Sequence, residues 1–182
     1  MESAVRKGRP PDTRKKEPML EINASIEIDA SANAVWRKLA KLDDVQHYVE
    51  NVKKSYYSSE LTEGVGAERI CEVQGFGTLR EKITEWQDGE SFTYAVEGMP
   101  SIIRRGGSTW RVEAITPEKA RVSISSRLET RYGFVGTLMG RLMMRPQVTR
   151  LLEEALLSFK DFVEQSVPSE EKAPRPLHAQ VA

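Results

Sequence analysis

Two residues of opposite charge fall on neighbouring predicted strands, and strand alternation turns both toward the same side. Arg69 lies in the predicted strand 67–74 and Glu81 in the predicted strand 78–86. If these registers hold, both side chains face one interior. Burying such a pair is costly, and arginine offers a planar fork to a carboxylate or enolate. We predict a ligand anchor here; the alternatives are that the two residues satisfy only each other, or that a β-bulge turns one outward.

Three aromatic residues with polar groups fall on or near the same predicted face. Tyr94 and Trp110 occupy apolar strand faces, and Tyr57 reaches that face if its strand begins with a bulge. A buried tyrosine hydroxyl or indole N–H needs a hydrogen-bond partner, which a ligand can supply. We predict ligand contacts for all three residues; the alternative is that each is an ordinary core residue.

Two methionines lie on the apolar stripe of a long predicted C-terminal helix. Met139 and Met143 are one helical turn apart. Thioether side chains are unbranched and polarisable, so they adapt to irregular ligands. We predict that both line the ligand pocket; the alternative is ordinary core packing.

The other reactive residue types form no catalytic or metal-binding pattern. Cys71 is the single cysteine, and the two histidines, His47 and His178, are too far apart for metal-ligand spacing. We interpret His47 as a surface residue; the alternative is an acid or base near neutral pH. The Gly75-Phe76-Gly77 segment is too short for a nucleotide-binding fingerprint. We expect no metal and no cofactor.

Composition limits the class of protein and its partners. Lys plus Arg and Asp plus Glu both number 27, so the formal net charge is zero. We therefore expect no nucleic-acid partner. No stretch reaches the roughly 20 apolar residues of a membrane span, and the N-terminus has no apolar signal-peptide region. We expect a cytoplasmic protein without a membrane span, and its oligomeric state stays open.

The 182 residues divide into one domain and two tails. Residues 1–18 are basic and residues 167–182 are rich in proline, and neither segment shows apolar periodicity. Such segments do not bury enough apolar surface to offset the entropy of ordering. We predict a disordered basic leader at 1–18, a domain at 19–166 and a disordered tail at 167–182.

The periodicity within the domain predicts an α+β fold. Residues 20–28 alternate as a strand, Ser31 suits a helix N-cap, and a second short helix covers 43–49. Six more strands follow, with Asp88-Gly89 the sharpest hairpin signal. A long helix covers 134–165, with a bend expected near Arg145-Pro146. The order predicts a curved seven-stranded antiparallel sheet wrapped around the C-terminal helix.

This order and five local motifs resemble the polyketide cyclase/dehydrase branch of the START-like (SRPBCC) superfamily, which has the helix-grip fold. The motifs are IEIDASANAVW at 26–36, LDDVQHY at 42–48, GVGAER at 64–69, EKITEW at 81–86 and LLEEALLSFK at 151–160. The resemblance covers about residues 19–166. One departure is Tyr48-Val49-Glu50-Asn51, where family members often have a tryptophan, so the pocket floor or mouth is expected to differ.

The resemblance implies a cavity between sheet and helix that takes a lipid-, polyketide- or aromatic-like molecule. Because fold does not fix function, three hypotheses remain. The first is a binding or carrier protein for a small hydrophobic molecule. The second is a polyketide cyclase/aromatase-like enzyme that works without a metal, and the third is a protein-interaction module whose cavity is filled by side chains.

Overall fold

The computed structural model describes residues 19–131 and 144–166, so the predicted tails and the segment 132–143 lie outside the described residues. The strands are β1 (Met19–Ile28), β2 (Val52–Tyr57), β3 (Glu68–Val73), β4 (Gly77–Gln87), β5 (Ser91–Glu97), β6 (Ile103–Thr116) and β7 (Lys119–Thr130). The helices are α1 (Ala32–Leu39), a 3₁₀ helix (Leu42–His47) and α2 (Arg145–Ser166). The predicted element order and the α+β helix-grip fold are confirmed.

All seven strands form one antiparallel sheet with the order β1-β7-β6-β5-β4-β3-β2. Strands β2 to β7 pair with their sequence neighbours, and β1 pairs with β7 from Met19 opposite Glu129 to Ile28 opposite Ala120. Strands β1 and β2 therefore lie at opposite edges of the sheet. The chain between them, which contains α1 and the 3₁₀ helix, crosses the sheet from one edge to the other.

Local sequence signals explain how α1 is fixed to the sheet. The Ser31 hydroxyl accepts a hydrogen bond from the Ala34 backbone N–H at 3.3 Å, which confirms the predicted N-cap. The Trp36 indole N–H donates to the Asp88 carboxylate at 3.1 Å, in the turn between β4 and β5. Gly89 has φ +78° in that turn, a conformation that glycine adopts without strain. The predicted hairpin therefore also holds α1.

The two halves of α2 have different surroundings. Leu156, Phe159 and Val163, in the C-terminal half, are buried in the main core. The Phe159 ring centroid lies 6.0 Å from that of Trp110 and 4.9 Å from that of Tyr48. The N-terminal half instead packs its apolar side chains against a smaller cluster formed by Leu20, Ile22, Ile103 and Leu128. Side chains of the main core therefore hold the helix at its C-terminal half.

The starts of β6 and α2 can be compared with what the sequence predicts. Residues 104–107, two arginines followed by two glycines, belong to β6, because β6 pairs with β7 from Ile103 opposite Thr130 onward. Cross-strand pairing here overrides the low strand propensity of two glycines. Pro146 lies in the first described turn of α2. The bend expected near Arg145-Pro146 stays a prediction, since residues 132–143 lie outside the described part.

The close approach of β5 and β6 predicts an effect of a single methyl group on stability. A Cβ at Gly107 would lie 2.5 Å from the Tyr94 carbonyl oxygen, so the backbones of the two strands would have to separate. We expect Gly107→Ala to lower the free energy of unfolding by roughly 1–3 kcal/mol in urea denaturation. Gly106→Ala is the matched control, because its Cβ meets the flexible Met99 side chain instead. Equal losses in both variants would contradict this account.

Candidate ligand-binding site

A cavity of about 460 Å³ lies between the sheet and the N-terminal half of α2. Its wall is mostly apolar and draws on β3 to β7, on the β3–β4 and β5–β6 turns, and on α2. The apolar side chains in the wall are Val73, Phe76, Leu79, Val96, Met99, Pro100, Ile102, Ile103, Leu128, Met144, Val148 and Leu151. The space therefore lies where α2 is not held by the main core.

The polar part of the wall is concentrated on the sheet. Tyr94, Ser108 and Ser126 occupy directly opposite positions on β5, β6 and β7. The Ser108 and Ser126 hydroxyl oxygens are 2.7 Å apart, so one donates to the other. Glu81 lies on β4, two residues from the Tyr94 partner Ile83, and therefore on the same face. Gln147 is the polar residue that α2 adds to the described wall.

Arg69 lies behind Glu81, and it is bonded on three sides. Its Nε donates to Oε2 of Glu81 at 2.6 Å, and its Nη2 is 2.5 Å from the same oxygen. Its Nη1 donates to the carbonyl oxygen of Leu42, at the start of the 3₁₀ helix. The side chains of Arg69 and Glu81 are only 7% and 12% exposed. This ion pair joins β3, β4 and the 3₁₀ helix.

The electrostatics of the site follow from burial and from this ion pair. Burial by itself lowers the pKa of Arg69, but the adjacent Glu81 carboxylate outweighs it and raises the pKa above the usual range. Burial, with a smaller contribution from Glu81, raises the pKa of Tyr94 to about 12, although Arg69 and hydrogen bonds to Ser108 and Trp110 act in the opposite direction. Arg69 therefore stays charged, and the Tyr94 hydroxyl stays protonated at neutral pH.

The predicted site residues are placed differently with respect to the cavity. Glu81 and Tyr94 are in its wall, and the Arg69 guanidinium lies 5.7 Å from the Tyr94 ring centroid. Trp110 is buried against Phe159 in the main core, outside the described wall. Met139 and Met143 lie outside the described residues. Ligand contacts of the predicted residues stay predictions.

Tyr57 and Arg69 both form hydrogen bonds with the backbone of Leu42, the first residue of the 3₁₀ helix. The Tyr57 hydroxyl accepts a hydrogen bond from the Leu42 backbone N–H at 3.1 Å, whereas Arg69 donates to the Leu42 carbonyl oxygen. Burial raises the pKa of Tyr57. In the described part of the chain, Tyr57 therefore supports the 3₁₀ helix beside the site and is not in the cavity wall.

Some wall residues were missed in the sequence analysis. Ser108 precedes Trp110 by two positions, and Ser126 lies between Ile124 and Leu128, so alternation places both on the inner face. Serine is not apolar, so a pattern built from apolar residues does not include Ser108 and Ser126. Met99 lies in the loop before β6, where no periodicity could indicate its orientation.

Other chemistry is not indicated in the described part. Within residues 19–131 and 144–166, no cluster of three or more His, Cys, Asp or Glu side chains is arranged to hold a metal ion. None of the helices in these ranges is long and apolar enough to cross a membrane. The His47 ring stacks on Phe162 with centroids 6.5 Å apart, away from the cavity wall. Burial raises the pKa of Cys71, which favours its thiol form.

Breaking the Arg69–Glu81 pair tests its structural role. Glu81→Leu leaves a buried guanidinium without its counter-charge, and we expect a loss of roughly 3–5 kcal/mol in the free energy of unfolding. Arg69→Leu/Glu81→Leu should recover part of this loss. Glu27→Gln, at the exposed Arg121–Glu27 pair, is the control and should cost about 1 kcal/mol or less. Additive losses in the Arg69/Glu81 cycle would contradict the coupling.

The raised pKa of Tyr94 predicts an alkaline effect on stability. The hydroxyl is protonated in folded and unfolded chains below about pH 10, so its contribution is complete there and is lost as pH rises toward about 12. We expect the free energy of unfolding to fall over this range, and to fall less steeply in Tyr94→Phe. Denaturant titrations at a series of pH values measure both slopes. Identical slopes would show that Tyr94 ionisation is not linked to folding.

Comparisons with known proteins agree with this geometry. The structure of the ZhuI aromatase/cyclase from Streptomyces sp. R1128 is 18% identical, covers 83% of this chain and 97% of its own, and has a TM-score of 0.69. A START superfamily protein from Mycobacterium smegmatis is 12% identical, covers 81% and 99%, and has a TM-score of 0.63. A point mutant of Thalictrum flavum norcoclaurine synthase, in complex with a transition-state analogue, is 12% identical, covers 84% and 98%, and has a TM-score of 0.64.

At these identities the similarity to solved structures concerns the fold alone. No curated protein matches the sequence. A family model matches residues 19–164, which is most of the chain. The chain belongs to the family described as polyketide cyclase / dehydrase and lipid transport.

Proposed function

We propose that this protein binds and carries a small hydrophobic molecule in the cavity between the sheet and α2. The observation that carries the proposal is the mostly apolar space of about 460 Å³. Ligand pockets of proteins commonly measure about 300–1,000 Å³ and combine apolar walls with a few polar groups. The family and its structural neighbours suggest hydrophobic-ligand binding or a polyketide cyclase-like function.

Small residues keep the cavity open. Ser108 and Ser126 form the wall where β6 and β7 meet the space. Larger apolar side chains at such positions would fill the volume and gain packing energy, because protein interiors are otherwise close-packed. Retaining small residues sacrifices that stability. This supports a cavity maintained for an occupant and weighs against the filled-cavity interaction module.

The side chains of the cavity wall suit a ligand whose surface is mostly apolar. A molecule that buries about 250 Å² of apolar surface gains roughly 6 kcal/mol of transfer free energy, before the costs of association. Met99 and Met144 supply adaptable thioethers in the β5–β6 loop and directly before α2, so the wall accommodates irregular shapes. The polar groups sit together on the sheet side, and they would orient such a molecule.

Filling the cavity tests the proposal. Val148→Trp places an indole into the space from α2, and we expect it to weaken binding of the neutral fluorescent probe N-phenyl-1-naphthylamine at least tenfold. The matched control is Leu157→Trp, because Leu157 is on the same helix and is 56% exposed. The control should bind the probe as the unaltered protein does. Unchanged probe binding in Val148→Trp would contradict binding in this cavity.

A second candidate is a cyclase/aromatase-like enzyme. The convergence of Glu81, Tyr94 and the Ser108–Ser126 pair in a mostly apolar cavity favours it, since a carboxylate and hydroxyls can move protons without a metal. Incubation with an aromatisable polyketone discriminates the two candidates. Protein-dependent loss of water, detected by mass spectrometry and abolished in Glu81→Gln, would favour the enzyme. Recovery of the unchanged compound favours the carrier.

A further inference from the structure

The hydrogen bonds of Glu81 are distributed unevenly between its two oxygens. Both contacts from Arg69 fall on Oε2, at 2.6 Å from Nε and 2.5 Å from Nη2. Oε1 has no hydrogen-bond partner among residues 19–131 and 144–166. Glu81 is nevertheless part of the cavity wall and only 12% exposed. Within the described residues, the buried side-chain oxygen without a partner is Thr130 Oγ1 and not Oε1 of Glu81, so Oε1 is reachable from the cavity, where a ligand donor can bond to it.

The guanidinium of Arg69 is not available to an occupant of the cavity. Its Nε and Nη2 are directed at Glu81, and its Nη1 is bonded to the Leu42 carbonyl oxygen. Arg69 is also absent from the described wall, so Glu81 stands between it and the cavity. The first charge that an occupant meets at this end is negative.

The other polar groups in this part of the wall do not discriminate between donors and acceptors. The hydroxyls of Tyr94, Ser108 and Ser126 can each donate and accept. Burial raises the pKa of Tyr94, so this hydroxyl adds no second negative charge at neutral pH. A carboxylate, in contrast, only accepts hydrogen bonds. Glu81 therefore sets the polarity of the ligand group that fits here.

We infer that the ligand is a neutral hydroxylated hydrophobic compound whose hydroxyl group donates to Oε1 of Glu81, and that carboxylic acids are disfavoured. This inference rests on the proposed function, since it assigns the polar end of a molecule held in the same cavity. A ligand carboxylate would meet a like charge in a site of low dielectric, where repulsion is weakly screened. A phenol or alcohol instead gains a charge-assisted hydrogen bond.

Three matched naphthalenes test the inference at pH 7 by displacement of N-phenyl-1-naphthylamine. 2-Naphthol carries a donor, 2-methoxynaphthalene has the same ring without a donor, and 2-naphthoate carries a carboxylate. We expect 2-naphthol to bind at least fivefold tighter than 2-methoxynaphthalene and at least tenfold tighter than 2-naphthoate. Equal or tighter binding of 2-naphthoate or 2-methoxynaphthalene would overturn the inference while the proposed function stands.

Substitutions test whether Glu81 is the residue responsible for the preference for 2-naphthol over 2-naphthoate. Glu81→Gln removes the negative charge, leaves Arg69 without its counter-charge, and should reduce the preference for 2-naphthol over 2-naphthoate at least tenfold. Glu27→Gln removes a half-exposed carboxylate that is not in the cavity wall, and it should leave that preference within twofold of the unaltered protein. An unchanged preference in folded Glu81→Gln would overturn the role of Glu81. If Glu81→Gln does not fold, the comparison of the three ligands on the unaltered protein decides whether the inference holds. If neither the probe nor any of the three ligands binds the unaltered protein, the proposed function itself is overturned.

Discussion

The arrangement of the site depends on one buried ion pair. Arg69 on β3 holds Glu81 on β4 through two contacts to a single oxygen, and it holds the Leu42 carbonyl oxygen of the 3₁₀ helix. Tyr57 holds the backbone N–H of the same residue. The segment that crosses the sheet is thereby fixed to its far edge, at β2 and β3. The cost of burying these charges is offset only while every partner is present.

The second constraint is the division of α2 into two halves. Around Phe159 the helix is enclosed by aromatic side chains of the main core, which fixes its position. Toward Met144 the same helix faces glycine and serine residues across open volume. A rigid helix supported at one end can thus keep a cavity open at the other end. Stability and the proposed ligand binding therefore depend on different stretches of one helix.

Much of the fold could be predicted from the sequence because its signals are local. The alternation in β1, the Ser31 cap and the Asp88-Gly89 turn each depend on a few neighbouring residues. Alternation also predicted that Arg69 and Glu81 lie on the same face of neighbouring strands, and the two residues are direct cross-strand partners. The confirmed resemblance to the polyketide cyclase/dehydrase branch joined these signals into one architecture.

The detail of the site could not be predicted, because it depends on contacts between distant parts of the chain. The bond from Arg69 to Leu42 spans 27 residues and requires the position of the 3₁₀ helix. Which of the two Glu81 oxygens accepts the hydrogen bond from Arg69 depends on how Arg69, Glu81 and Leu42 are positioned relative to one another. Ser126 was passed over because its small polar side chain carries no apolar signal, although its strand position indicates the inner face.

Native mass spectrometry of the full chain, as purified and after incubation with 2-naphthol, tests the central claim most directly. The account predicts one bound small molecule per chain in at least one of these preparations, released on denaturation and then identifiable by its mass. Retention should depend on the open volume beside Val148. A mass equal to that of the chain alone in both preparations would contradict a cavity that holds a hydrophobic molecule.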